Sequence, residues 1–199
     1  MDFILNNLRI RRVEFLVAEI PIIAIPLLLT MTHYLQFNQS VVIEGIIWFL
    51  LYFNFGDMIN CLADRDLDAK YKSHLSKAVY ALGVKFVTWQ VIITASLATA
   101  IAFHLAWVLE NWSLLWLHSI TLFFAGQYST RPLWIKSAGI WQVPCLWVII
   151  FFFPMLFLAL IIDPSPNWTV YSIIIGYATM QTGVLLVNTA EDYLEDKEM

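Results

Sequence analysis

Three side chains with oxygen donors, Asn60, Asp64 and Asp68, follow one another at intervals of four in the stretch N-C-L-A-D-R-D-L-D-A-K. The chain closes on a second set at the same intervals, Asn188, Asp192 and Asp196, in V-N-T-A-E-D-Y-L-E-D-K-E-M. On a helix each step of four advances a side chain by about 40°, so each triplet can occupy one face. Carboxylates one turn apart repel one another unless a cation binds between them. Mg2+ suits such donors, because it takes one or two carboxylates and completes its shell with water and phosphate oxygens. Two facing triplets could hold roughly two or three Mg2+ ions around a diphosphate, with the Asn amides completing the shell. Lys72, Lys77, Arg131 and Lys136 lie between the triplets and could take the remaining phosphate charge. Either triplet alone reads equally well as a pair of solvated helix ends. Their recurrence at corresponding positions favours a site.

The elements that must position these residues are membrane helices. Of 199 residues 60% are hydrophobic, 16% aromatic and only 13% charged, whereas soluble domains run at about half apolar and a quarter charged. A single all-α, polytopic membrane domain over residues 1–199 is expected, since helices satisfy the backbone internally in lipid. Six runs approach the roughly 20 residues needed to cross a bilayer core: 13–32, 41–59, 86–109, 113–128, 140–162 and 169–187, the fourth being short. Pro21, Pro26, Pro144 and Pro154 fall inside these runs and should kink helices without ending spans. All 11 Lys and Arg precede the first run, follow the sixth, or lie between the second and third or the fourth and fifth. The remaining loops carry none, so the positive-inside rule places the N-terminus and both triplets in the cytoplasm. No cleavable signal peptide is evident. Cys61 and Cys145 offer neither a disulfide framework nor metal-ligand spacing. Membrane lipids are expected partners and nucleic acid is not.

Below the triplets, spanning helices would enclose an apolar, aromatic-lined space suited to a hydrocarbon tail. An isoprenyl diphosphate has both halves of this description. Asp57 lies seven residues before Asp64 and so near the same face, whereas Asp66 should point elsewhere as an exposed charge. Glu14 and Glu19 fall on the first span, Glu19 the deeper, and a carboxylate within a bilayer is a functional candidate. His74 lies in the Lys-rich stretch 69–79, which could cap a phosphate site or meet anionic lipid headgroups.

These residues carry a family resemblance. Asn60-x-x-x-Asp64-x-x-x-Asp68 resembles the first aspartate-rich motif of the UbiA superfamily of intramembrane prenyltransferases, and Asp192-x-x-x-Asp196 resembles its second. Between them Y-S-T-R-P-L-W-I-K, residues 128–136, is similar to the Tyr-Ser-x-Pro-Pro-x-x-x-Lys segment after the fourth helix. The resemblance implies a helical bundle around a cavity open sideways to lipid. It implies Mg2+-dependent ionisation of a polyprenyl diphosphate and capture of the allylic cation by an aromatic or lipid acceptor. Asn60, Asp64, Asp68, Asp192 and Asp196 would then carry the metal, with Tyr128, Asn188, Lys136, Lys72, Lys77 and Arg131 around the diphosphate.

Three departures accompany the resemblance. Cys61 stands where many members have Asp, and Arg131 replaces the first Pro of the Tyr-Ser segment. The family has nine helices as a rule, so a chain closing just after the second motif is expected to lack the wall made by the last three. Beside the transferase stand three alternatives: a cyclase of the same fold acting without an acceptor, a divalent-cation transporter, and a non-catalytic membrane subunit.

Overall fold

Long apolar runs separated by short polar turns leave helices as the way to pair the backbone within lipid. The computed structural model describes residues 2–191, with side chains as far as Val187. Helix α1 (Asp2–Ile10) is a short amphipathic helix ahead of the first span. A 3-10 turn leads into α2 (Leu16–Thr30), and α3 (Ser40–Asp64) returns to the end of the bundle where α2 began. Two short helices, α4 (Asp68–Tyr71) and α5 (Ser73–Leu82), fold over that end. They are followed by α6 (Val84–Val108) and α7 (Ser113–Ser129). The next span is assembled from α8 (Gln142–Leu146), a π-helical stretch and α9 (Phe153–Ile162), and α10 (Trp168–Glu191) comes last.

Among the described residues, five segments are long and apolar enough to cross a membrane: Val13–Thr30, Ser40–Asp64, Val84–Val108, Gly139–Ile162 and Trp168–Val187. The fourth expected run forms α7, which at 17 residues rises about 26 Å. It stands against α3, α6 and α9, and its His118 and Thr121 are buried. This is an integral, multi-pass membrane architecture.

Close approach of the spans follows from small residues. On α6 the buried stripe Val87, Val91, Thr94, Ala98, Ala102 and Leu105 recurs at helical spacing and faces α3. Its opposite face shows Trp89, Ile93, Leu97 and Trp107 to the surroundings, as a lipid-facing surface should. Gly45 of α3 meets α9 so closely that any added Cβ would collide with Ile161 Cδ1. Gly83 joins α5 to α6 at φ 91°, a conformation that favours glycine.

The centre of the bundle is an aromatic pillar. Trp48 stacks on Phe157 with ring centroids 3.6 Å apart and on Tyr52 at 5.6 Å. Its indole N–H donates to His118 Nδ1 at 3.0 Å. The other ring nitrogen of His118 lies 2.9 Å from Thr99 Oγ1, whose own proton goes to the Ala95 carbonyl. That pattern assigns His118 as the neutral tautomer protonated on Nε2. His118 is therefore a packing residue, joining α3, α6 and α7.

Pro154 has no N–H, which leaves carbonyls on the preceding turn short of a donor. The chain widens to a π-helix over Trp147–Phe152, and the Tyr52 hydroxyl donates to the Ile149 carbonyl at 2.7 Å. Tyr52→Phe removes that donor and should destabilise the protein by about 1–3 kcal/mol. Gly45→Leu should destabilise by a similar ~1–3 kcal/mol through overpacking against Ile161. Thermal unfolding of the detergent-solubilised protein checks both, and parent-like stability in either variant would refute the corresponding contact.

Candidate active site

Helix α3 runs into the site and ends there. Arg65 Nη1 donates to the Leu62 carbonyl at 2.7 Å, closing the last turn of α3 with a cation, as the helix dipole favours. The chain turns over residues 65–67 and α4 opens at Asp68. The first triplet is thus not carried on one unbroken helix as its spacing suggested. The turn nevertheless keeps near-helical dihedrals at Arg65 and Leu67, so Asn60, Asp64 and Asp68 still line one cavity.

That cavity has a volume of about 470 Å³ and two kinds of wall. Asn60, Asp64, Asp68, Lys72 and Lys136 gather at the end where α3 finishes. Ile22, Phe53, Leu146, Ile149 and Phe151 are among the apolar and aromatic side chains lining the rest. Lys136 is nine-tenths buried, and its ammonium is ion-paired with Asp64 Oδ1. The Ser129 hydroxyl donates to Asn60 Oδ1 at 2.8 Å and orients that amide. The Tyr128 hydroxyl donates to Gln142 Oε1 at 3.3 Å, tying α7 to the start of α8. Gln181, Val184 and Leu185 of α10 complete the wall.

The structure does not bring Lys77 and Arg131 to the cavity. Helix α5 buries Leu75, Ser76, Ala78 and Val79, which turns Lys77 outward. Arg131 is exposed, with its guanidinium 5.5 Å from the Trp134 ring centroid. His74 is likewise exposed. Asp66 points out as expected, pairing with Arg65 at 3.6 Å and accepting from the Tyr80 hydroxyl, a hydrogen bond that raises the Tyr80 phenol above its ordinary range. Asn188 belongs to α10, seven residues after Gln181 and four after Val184, at the register of the lining stripe. Asp192 and Asp196 lie outside the described residues.

Sequence reasoning passed over Arg12, Ser129, Gln142 and Gln181 as site residues. Arg12 reads in sequence as one of three arginines setting topology. In the structure it turns the chain at φ 45°, stacks 4.1 Å from the Phe15 ring centroid, and lines the cavity. Its neighbour Arg11 instead donates to Asn54 at 3.0 Å and Gln90 at 2.8 Å, anchoring α1 to α3 and α6, and burial lowers its pKa. For Ser129 the signal was its place beside Tyr128 in the Tyr-Ser segment.

Among the described residues no three His, Cys, Asp or Glu side chains gather closely enough to hold a metal by themselves. The donor chemistry still fits a hard divalent cation. Asn60, Asp64 and Asp68 offer oxygen, Cys61 is fully buried away from the cavity, and His118 is engaged with Trp48. A cation that keeps water and phosphate oxygens needs no more than one or two of these carboxylates.

The sequence of the UbiA prenyltransferase family matches this chain over residues 20–199. The chain belongs to the UbiA prenyltransferase family. Two solved structures share its fold, a UbiA homolog from Archaeoglobus fulgidus bound to GPP and Mg2+ and the same homolog bound to DMAPP and Mg2+. Each superposes with a TM-score of 0.75 at 20% sequence identity, covering 96% of this chain and 65% of the homolog. This UbiA-family chain thus spans about 65% of the length of the solved relatives. No curated protein matches it.

In this UbiA-family site the Asp64–Lys136 pair makes a testable claim about charge. Lys136→Met leaves Asp64 without its cation and should destabilise the protein by about 3 kcal/mol. Adding Asp64→Asn should restore much of that loss, since the double variant has no unpaired charge. Thermal melts of the two single variants and the double variant decide it, and simple additivity would refute the pairing.

Proposed function

We propose that this chain binds a prenyl diphosphate, cleaves its allylic C–O bond with Mg2+, and transfers the prenyl group to a lipophilic acceptor with release of diphosphate. The observation that carries this reading is the two-sided cavity, in which oxygen donors, the buried Lys136 ammonium and Lys72 share one chamber with apolar and aromatic walls. In this reading Asn60, Asp64 and Asp68 hold metal together with Asp192 and Asp196. Mg2+, when bound, supplies positive charge that neutralises the leaving diphosphate.

The chain's own residues do the rest. Lys136 stands against Asp64 and can turn its ammonium to a phosphate oxygen. Lys72 lines the same end. Ser129 fixes the Asn60 amide so that its oxygen donor is placed before substrate arrives. Tyr128, hydrogen-bonded to Gln142, shapes the wall between polar end and apolar chamber. Asn188 falls on α10 at the register of the lining residues Gln181 and Val184, and in this reading it serves the diphosphate. Fixed charges in a water-poor chamber stabilise developing negative charge more strongly than they would in water. Because every Lys and Arg among the described residues falls at this end of the helices, the site faces the cytoplasm in this reading.

Incubating the purified membrane protein with geranylgeranyl diphosphate and Mg2+ should release diphosphate. Asp64→Ala and Asp192→Ala should each lower that release by about a hundredfold or more. Release unaffected by both variants, or none from the parent with prenyl chains of any common length, would overturn the reading.

A further inference from the structure

Helix α1 carries its amphipathic pattern reversed. Its polar side faces the bundle, where Asn7 Oδ1 accepts from Gln90 Nε2 at 2.9 Å. Arg11, just past the helix, donates to Asn54 at 3.0 Å and to Gln90 at 2.8 Å. Its apolar side faces away. Ile4, Leu5 and Leu8 are 67%, 43% and 42% exposed and fall within about 100° of one another around the helix. A helix facing water would carry the opposite arrangement.

The inward contacts fix how deep α1 lies. Gln90 is six residues into α6, about 9 Å along its axis. Asn54 is ten residues before the end of α3, about 15 Å along that helix. Helix α1 therefore joins the bundle alongside these two spans and not beyond their ends. Its first turn is placed by the Phe3 and Phe86 rings, 5.8 Å apart. Phe86 stands one turn before the exposed Trp89 of α6, and Trp is characteristic of the membrane–water boundary. At this depth the surroundings of Ile4, Leu5 and Leu8 are lipid.

Charge selects among lipids. Lys77 lies on α5, against which α1 packs, and Lys85 adjoins Phe86. Both are exposed, and among the described residues no hydrogen bond or ion pair engages either. Asp2 is the one acid on α1. We propose that α1 is a lipid-binding element, with Ile4, Leu5 and Leu8 against acyl chains and Lys77 and Lys85 receiving the headgroup of an anionic phospholipid. A phosphodiester offers each ammonium a charge-assisted hydrogen bond. A zwitterionic headgroup brings a cation of its own, which two lysines oppose. The inference stands apart from the prenyl-transfer reading, and it gives Lys77 a role outside the cavity.

The test reconstitutes the full chain in vesicles of phosphatidylcholine mixed with phosphatidylglycerol. A trace of either lipid carries a diazirine on its acyl chain, and labelled peptides are mapped after irradiation. Residues 2–10 should take more label from the phosphatidylglycerol probe than from the phosphatidylcholine probe. Lys77→Gln combined with Lys85→Gln alters two exposed side chains and should lower phosphatidylglycerol labelling there about tenfold or more. Labelling by phosphatidylcholine should not fall. Equal labelling by the two probes in the parent, or unchanged phosphatidylglycerol labelling in the double variant, overturns the proposal. So does an α1 that takes label from neither probe, and cross-links between α1 of two copies would then identify a second copy as its cover.

Discussion

The site depends first on the meeting of Lys136 and Asp64. Neither charge is stable alone at the end of an apolar chamber, because removal from water penalises each. Their pairing lets α3 end in a carboxylate directed inward and draws the connector after α7 across the mouth of the cavity. The same region supplies Ser129 to Asn60 and Tyr128 to Gln142. One ion pair and two hydrogen bonds thus fix the polar end from α3, α7 and α8 together. The pair is also exchangeable, since a divalent cation on Asp64 would release the Lys136 ammonium for a phosphate oxygen.

Much of this was legible in the sequence because lipid leaves few choices. Apolar runs near membrane length became helices, and Lys and Arg at alternate connections put both ends of the polar pattern on one side. Asn60, Asp64, Asp68, Lys72, Tyr128 and Lys136 could be expected at one cavity because each falls at the end of a span on that side. Lys77 and Arg131 show where position along the chain stops being informative. Both lie near the site in sequence, yet α5 turns its apolar face inward and with it Lys77 outward, and Arg131 lies over Trp134. The break between Asp64 and Asp68 was hidden because a turn with helical dihedrals preserves the four-residue spacing. The π-helical stretch was hidden because it answers to Pro154 and to a hydroxyl on another helix. Arg12 was hidden behind a sufficient alternative explanation, its topological role.

The two ends of the bundle are built differently for a physical reason. At the far end His104 and Glu44 form an exposed pair at 2.6 Å, and His33 and Gln36 cap a short turn. Those groups remain accessible to water. At the site end, Glu19, Asp68 and Lys136 are all at least nine-tenths buried. Burying so much charge is destabilising by itself, and the tight packing of the apolar bundle is what offsets it. The largely apolar stripe of α6 against α3 and the packing of Ile161 and Leu158 side chains onto Gly45 supply contact without charge, so cohesion comes from parts of the molecule that do no chemistry.

The cavity also shows why these elements must act together. Its lining comes from α2, α3, α4, α5, α7, α8, the π-helical stretch and α10, and α2 in turn packs on both α9 and α10. Helices distant in sequence therefore wall one chamber together. Such shelter matters because the field of Lys136 and of any metal is strong only where water is scarce and the walls polarise little. An apolar ring both shelters a hydrocarbon chain and raises the effective strength of the charges at its end. The hydrophobicity that made the chain a membrane protein is, on this argument, a working part of the site.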